Sequence, residues 1–116
     1  MTTERQIIFQ GHYFQEFYLL QTESVREKIG YVFGVVKTVD KIPGKFLKYL
    51  GGTDGLYEIR VEAGSNIFRI FCCFDTRNLV ILFNAFQKKS QKTQKQEIKL
   101  AGKLKKEYVS LKNKTK

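Results

Sequence analysis

Leu56-Tyr57-Glu58-Ile59-Arg60-Val61-Glu62, then Ala63-Gly64-Ser65-Asn66, then Ile67-Phe68-Arg69-Ile70-Phe71-Cys72-Cys73-Phe74: this stretch decides the fold. Successive side chains of a strand point to opposite faces, so Tyr57, Ile59 and Val61 make an apolar face while Glu58, Arg60 and Glu62 make a charged one. Ala63–Asn66 is hairpin material, and Ile67–Phe74 is the return strand. Asp75–Asn78 turns the chain again into Leu79–Phe86. That run is apolar on both faces, which places it centrally in a sheet covered by helices.

The flanks supply those helices. Upstream, Gln6–Gln10 fits a short edge strand and Tyr13–Leu20 a short helix. Ser24 with Glu27 three residues later forms a capping box. Val25, Ile29, Val32, Val36 and Val39 then recur at spacings of four and three, the apolar stripe of a second helix that Pro43-Gly44 closes. A turn rich in glycine (Gly51, Gly52, Gly55) leads into the first meander strand. Downstream, Thr93 reads as the N-cap of a last helix with Gln96 completing its box. Ile98, Ala101, Leu104, Tyr108 and Leu111 form its core stripe.

The order predicts an α+β fold: a compact sandwich with an antiparallel twisted sheet, two N-terminal helices and a basic C-terminal helix. With neither repeat nor linker, residues 1–116 read as one domain, its ends at 1–5 and 112–116 expected to fray. The ten Phe and six Tyr supply bulky material for its core. No apolar run approaches bilayer length and no signal peptide opens the chain, so a cytoplasmic protein without membrane contact is expected. Cys72 and Cys73 are adjacent in a strand and therefore point to opposite faces, which argues against a disulfide. With a single histidine, His12, there is no zinc-ligand pattern, and neither metal nor cofactor is expected.

The formal net charge is +10. From Lys88 onward there are eleven Lys against Glu97 and Glu107, so nearly all the excess belongs to the C-terminal segment. Lys92, Lys95, Lys99, Lys103 and Lys106 recur at helical spacing and mostly share a face. Such a stripe fits either a polyanion-binding surface or a solvated helix exterior, and the sequence leaves both open.

Motifs for metalloproteases, P-loops and serine hydrolases are all missing. What remains is a set of charges on strands. Arg69 interrupts an apolar run, and a guanidinium there needs a partner or a purpose. Arg60 and Glu58 project from the neighbouring strand, while Lys88 and Lys89 end the third strand beside Lys92. Converging on one sheet surface, these groups suit RNA cleavage. Arginine stabilises the charge gathering on a phosphate, and Glu or Lys takes a proton from the 2′-hydroxyl. A structural Glu58–Arg60–Arg69 ion-pair network accounts for the same spacing equally well.

Three blocks resemble the HigB-like, phage-derived branch of the RelE/ParE toxin superfamily. They are Gly55-Leu56-Tyr57-Glu58-Ile59-Arg60-Val61, then Phe68-Arg69-Ile70-Phe71, then Phe86-Gln87-Lys88-Lys89-Ser90-Gln91-Lys92-Thr93 with Glu97-Ile98, Ala101 and Glu107-Tyr108 behind it. The third block is the most specific. The resemblance implies the toxin of a type II toxin–antitoxin pair, a metal-independent endoribonuclease that cuts messenger RNA on the ribosome. It also implies a cognate antitoxin of helix-turn-helix type.

By motif position Arg69 matches the arginine used on the scissile phosphate, and Arg60, Lys88, Lys89 and Lys92 fall where relatives carry basic residues; Glu58 is the general base on the chemistry of its side chain alone. Lys92, Lys95, Lys99, Lys103 and Lys106 would hold RNA backbone. Two departures stand out. Gln94 replaces the proline that usually follows the capping threonine, which should loosen the helix start slightly. Phe86 fills the stretch where some relatives carry a catalytic His or Tyr, leaving proton transfer open. Two rivals share the fold-level evidence: a non-catalytic inhibitor of DNA gyrase, and an inert RNA-binding domain.

Overall fold

In the computed structural model, which describes residues 4–114, the chain runs in order through eight elements. They are β1 (Gln6–Phe9), α1 (Tyr13–Leu19), α2 (Glu23–Thr38), β2 (Leu47–Tyr49), β3 (Tyr57–Ala63), β4 (Asn66–Asp75), β5 (Leu79–Gln87) and α3 (Gln91–Lys114). The strands make one sheet in the order β1-β5-β4-β3-β2. The meander β3–β4–β5 is antiparallel as expected. Gly64 (φ +63°) takes the first place of its two-residue turn between Ala63 and Asn66, a position where a positive φ matches the strand twist.

The sheet is mixed rather than wholly antiparallel, because β1 pairs parallel to β5, from Gln6 with Leu79 to Phe9 with Leu82. A parallel pair needs a long crossover, and everything from α1 to β4 supplies it. The three-residue β2 at the other edge was not foreseen; it pairs with β3 from Leu47–Ile59 to Tyr49–Tyr57.

Alternation sorts the sheet into two cores. On one face Ile59, Val61, Phe68, Ile70, Cys72, Val80 and Leu82 pack with Phe14 of α1 and Ile29, Val32 and Val36 of α2. On the other, Phe71, Cys73, Ile81, Phe83 and Phe86 pack with Leu56 and with Ala101 and Leu104 of α3. The two cysteines are free, buried and on opposite faces, as their adjacency required. Phe71 and Phe83 are fully enclosed, each contributing about 1.5–3 kcal/mol through burial. Between them β5 carries a bulge. Ile70 pairs with Ala85 and Cys72 with Leu82, so Phe83 and Asn84 together stand opposite Phe71.

Both long helices begin earlier than their stripes suggest. The α2 cap is Thr22, whose hydroxyl accepts from the Val25 amide at 3.3 Å, and not Ser24. For α3, Ser90 Oγ accepts from the Thr93 amide at 3.2 Å, so Ser90 holds the first turn in place of Thr93. Gln94 matters here in the opposite sense from the one expected. Its amide donates to Ser90 O at 3.2 Å, a bond that proline could not make, and the helix starts at Gln91.

Parts of the ends expected to fray are anchored. Arg5 donates to the carbonyls of Val36, Val39 and Asp40 at the α2 C-terminus, at 2.9, 2.7 and 2.8 Å. Lys112 grips Asp75. Residues 1–3 and 115–116 lie outside the described part. Among the described residues no helix is long and apolar enough to cross a membrane.

Candidate functional site

The β3–β4 register sets the centre of the site. Glu58 pairs with Phe71 and Arg60 with Arg69, so Glu58 and Arg69 are diagonal neighbours on the α3 side of the sheet. Arg69 Nη1 donates to Glu58 Oε1 at 2.8 Å, with the side chains 12% and 2% exposed. Two charges taken out of water this far need each other, since removing either leaves an uncompensated buried charge. The pair is only half satisfied: Arg69 Nε is buried and has no hydrogen-bond acceptor. A planar guanidinium matches the geometry of phosphate oxygens, but Nε itself is enclosed, so an anion would meet the small part of the fork that stays exposed.

Arg60 goes elsewhere. Its Nε lies 3.2 Å from Glu62 Oε1, an ion pair without hydrogen-bond alignment, and its side chain lines a pocket of about 280 Å³ with Lys28, Tyr31, Lys45, Phe46 and Glu62. Sequence reasoning missed this pocket because its walls come from three separate segments. Lys88 and Lys89 are exposed on the link between β5 and α3. The Lys88 amide still donates to Ile67 O at 2.9 Å, extending the ladder past Phe86, the β5 partner of Arg69. The ion pair and these two lysines thus sit at the same end of the β4–β5 hairpin.

On α3, Lys92, Lys95, Lys99, Lys103 and Lys106 are all exposed, while Ala101 and Leu104 are buried and Ile98 and Tyr108 are half-buried. Two other lysines turn inward. Lys105 donates to the Asp54 carbonyl. Lys112 Nζ donates to both oxygens of Asp75, at 2.7 and 2.9 Å, and the Tyr108 hydroxyl donates to Oδ2 at 2.6 Å. The hydrogen bonds from Lys112, Tyr108 and the Thr76 amide hold the Asp75 carboxyl down at about 2. Burial and the Asp75 bond push Tyr108 up to about 12.

Another group came unannounced. Asn84, buried by the bulge, donates from Nδ2 to Glu97 O at 3.0 Å and to Glu97 Oε1 at 3.2 Å, tying β5 to the first turns of α3. The remaining nucleophile candidates are silent. Burial raises both thiols, Cys73 to about 11, so neither supplies thiolate at neutral pH. His12 is exposed, stacked on Tyr13 at 4.9 Å and 3.4 Å from Glu16.

This face therefore carries an arginine held by a buried carboxylate, a spare guanidinium donor beside it, and basic side chains beyond. It can bind and polarise a phosphate. The family model described as "Phage derived protein Gp49-like (DUF891)" matches residues 16–106, a span that takes in the ion pair, both basic segments and the pocket around Arg60. No curated protein matches the sequence.

Proposed function

The chain belongs to the phage-derived Gp49-like family, and from that premise we propose that it is the toxin of a type II toxin–antitoxin pair, cutting messenger RNA on the ribosome. The family is of a RelE/toxin-like type, which supports a toxin role and, with it, an antitoxin made to neutralise it. The observation that carries the RNA reading is the Glu58–Arg69 pair at 2.8 Å, whose arginine keeps a buried Nε unmet.

In the proposed reaction the 2′-hydroxyl of one nucleotide gives its proton to water and attacks the adjacent phosphate, and the departing 5′-oxygen takes a proton from water, which leaves a cyclic phosphate and a free 5′-hydroxyl. Arg69 stabilises the charge gathering on the phosphate oxygens. Glu58, 2% exposed and already bonded to Arg69, is better placed to fix that guanidinium than to take the proton itself. Arg60, Lys88 and Lys89 add positive potential. Lys92, Lys95, Lys99, Lys103 and Lys106 hold RNA backbone on the ribosome. Without a strong acid–base pair at the surface, positioning of the message by the ribosome supplies much of the rate. An antitoxin of helix-turn-helix type and a cytoplasmic location complete the reading.

Induced expression followed by primer extension on cellular messages tests it. New 5′ ends within translated regions, appearing before growth stops, are the expected result. DNA damage without such ends would point to gyrase, and growth unaffected by induction would leave an inert RNA-binding domain.

A further inference from the structure

The pocket beside Arg60 lies outside the Glu58–Arg69 pair and has a composition of its own. Pairing between β2 and β3 stops at Ile59, so the outer half of β3 faces α2 and the Pro43–Phe46 turn without a strand between. The Arg60 amide donates to Phe46 O at 2.9 Å and fixes that turn against the strand. The walls then bring together three cations, Lys28, Lys45 and Arg60, and two aromatic rings. Tyr31 is 58% exposed, which is unusual for so large a ring, and stands edge-on to Phe46 at 6.1 Å. Lys28 Nζ lies 5.4 Å above the Tyr31 ring and Lys45 Nζ 4.9 Å above Phe46. Arg60 Nε is buried at the wall with no hydrogen-bond acceptor.

Acid is present too. Glu62 sits against Arg60, and Glu27 lines the adjoining hollow toward the β3–β4 turn. Glu62 is 61% exposed, so its hold on Arg60 is screened by water and yields readily to a doubly bonded oxyanion. Glu27 belongs to the adjoining hollow, whereas Glu62 stays at Arg60 and has to give way when an anion takes that guanidinium.

We infer that this pocket is a subsite for one nucleotide of single-stranded RNA, its base stacked on Tyr31 and its phosphate held by Lys28, Lys45 and Arg60. The volume of about 280 Å³ is at the small end for ligand sites, enough for a nucleotide unit and too little for a helix or a strand. An acidic peptide would use the cations and gain nothing from the exposed ring. A base uses both, because every base has a π-face and exposed lysines above the rings shift easily to a neighbouring phosphate. The inference deepens the proposed function, since Arg60 belongs to both places. It does not require cleavage.

The test is direct binding by fluorescence anisotropy. The probe is a labelled 2′-O-methyl RNA hexamer, which cannot be cut by attack from a 2′-hydroxyl, and poly-glutamate and inorganic phosphate serve as competitors. Tyr31→Ala is expected to weaken hexamer binding roughly tenfold, with Tyr31→Phe restoring it. Lys45→Glu should flatten the salt dependence of log affinity by about 0.7 or more. Melting curves accompany each variant, and Tyr31→Phe keeps the ring should Tyr31→Ala fold poorly. Hexamer binding that is absent from the wild type, or unchanged in Tyr31→Ala, overturns the subsite. So does displacement by poly-glutamate as strong as by unlabelled RNA, which would assign the pocket to an acidic protein, or by phosphate alone, which would make it an anion site without base recognition. Tyr31-dependent binding in a protein that yields no cleavage ends in cells would sustain the subsite and sink the nuclease.

Discussion

Two acid–base clusters lie on the α3 side of the sheet, and they are built to different standards. At Asp75 both carboxylate oxygens have donors: Lys112, Tyr108 and the Thr76 amide. Across the sheet, Glu58 is more deeply buried yet takes one side-chain bond, and the arginine that supplies it keeps a buried donor with nothing to bond. A cluster that closes on itself fastens a helix to a hairpin. One that leaves a buried donor unpaired holds its two members together less completely. Buried polar groups are almost always paired, so the unmet guanidinium N–H is the feature on which the proposed role of Arg69 rests.

Removing Arg69 should separate the two clusters most widely. Arg69→Ala strands Glu58 in the interior, and a loss of about 3–5 kcal/mol in urea unfolding is expected. A loss below about 1 kcal/mol would mean that Glu58 finds water and the pair is not truly buried. Arg69→Lys is the finer tool. It keeps a positive charge beside Glu58 but loses the flat fork that grips phosphate, so a stable protein should show message cleavage reduced about a hundredfold or more. Cleavage at the wild-type rate from Arg69→Lys would put the chemistry elsewhere.

Next in size is the surface that continues from the open cluster. Reversing charge at Lys95, Lys99 and Lys103 should lower the slope of ribosome association against salt by about 2, at roughly 0.7 per lost contact, with the melting curve unmoved. Sedimentation identical to the wild type at every salt concentration would make the stripe a solvated face.

The closed cluster predicts the smallest effects. Asp75→Asn should cost about 1 kcal/mol, discounted because Lys112 is 39% exposed, and should leave cleavage intact. Its signature is in pH. The Asp75 carboxyl is held down to about 2, below the ordinary carboxylate near 3.9, so its stabilisation is complete above that ordinary value and fades as pH falls toward 2. Tyr108 works in the other direction. Raised to about 12 from an ordinary value near 10, it contributes in full below the ordinary value and fades as pH rises toward 12. Melting temperatures of Asp75→Asn and Tyr108→Phe across pH 2 to 12 should each lack one of these limbs. A wild-type profile in both variants would remove the cluster from the stability of the hairpin.

How much of this was legible follows from the range of each signal. The β3–β5 meander was plain, since alternation and turn residues are local and Gly64 fixes the register that sets Glu58 beside Arg69. The β2 strand was invisible because Leu47-Lys48-Tyr49 is too short to show a period and exists only by pairing with Tyr57–Ile59. Caps were misplaced by two and three residues for one reason. Thr22 and Ser24, like Ser90 and Thr93, are chemically alike, and only the backbone shows which hydroxyl meets an amide. The five lysines of the α3 stripe were identified as exposed by their spacing, yet nothing local told them from Lys105 and Lys112, whose partners are Asp54 and, at the end of β4, Asp75, both distant in the chain. Arg69 stood out for its apolar neighbours. The pocket around Arg60 could not, because Lys28, Tyr31 and Lys45 come together only after α2 has packed on β3.

The single extra residue in β5 has a consequence for which changes the chain can absorb. A strand has a parity: every second side chain serves the same face, and one residue more or less exchanges the faces from that point on unless a bulge absorbs it. Because Phe83 and Asn84 share one place opposite Phe71, Phe86 and the backbone leading to Lys88 keep step with Arg69, while Ala85 and Gln87 serve the other side. Deleting Asn84 would remove the bulge and leave Phe83 alone opposite Phe71, with Ala85 still opposite Ile70 and Phe86 opposite Arg69; what is lost is the tie from Asn84 to Glu97. Substitution here tests a side chain; a change of length tests the arithmetic of the sheet. Related chains one residue shorter at this point of β5 should therefore keep Phe86 in step with Arg69, whereas those one residue longer need a second bulge to do so.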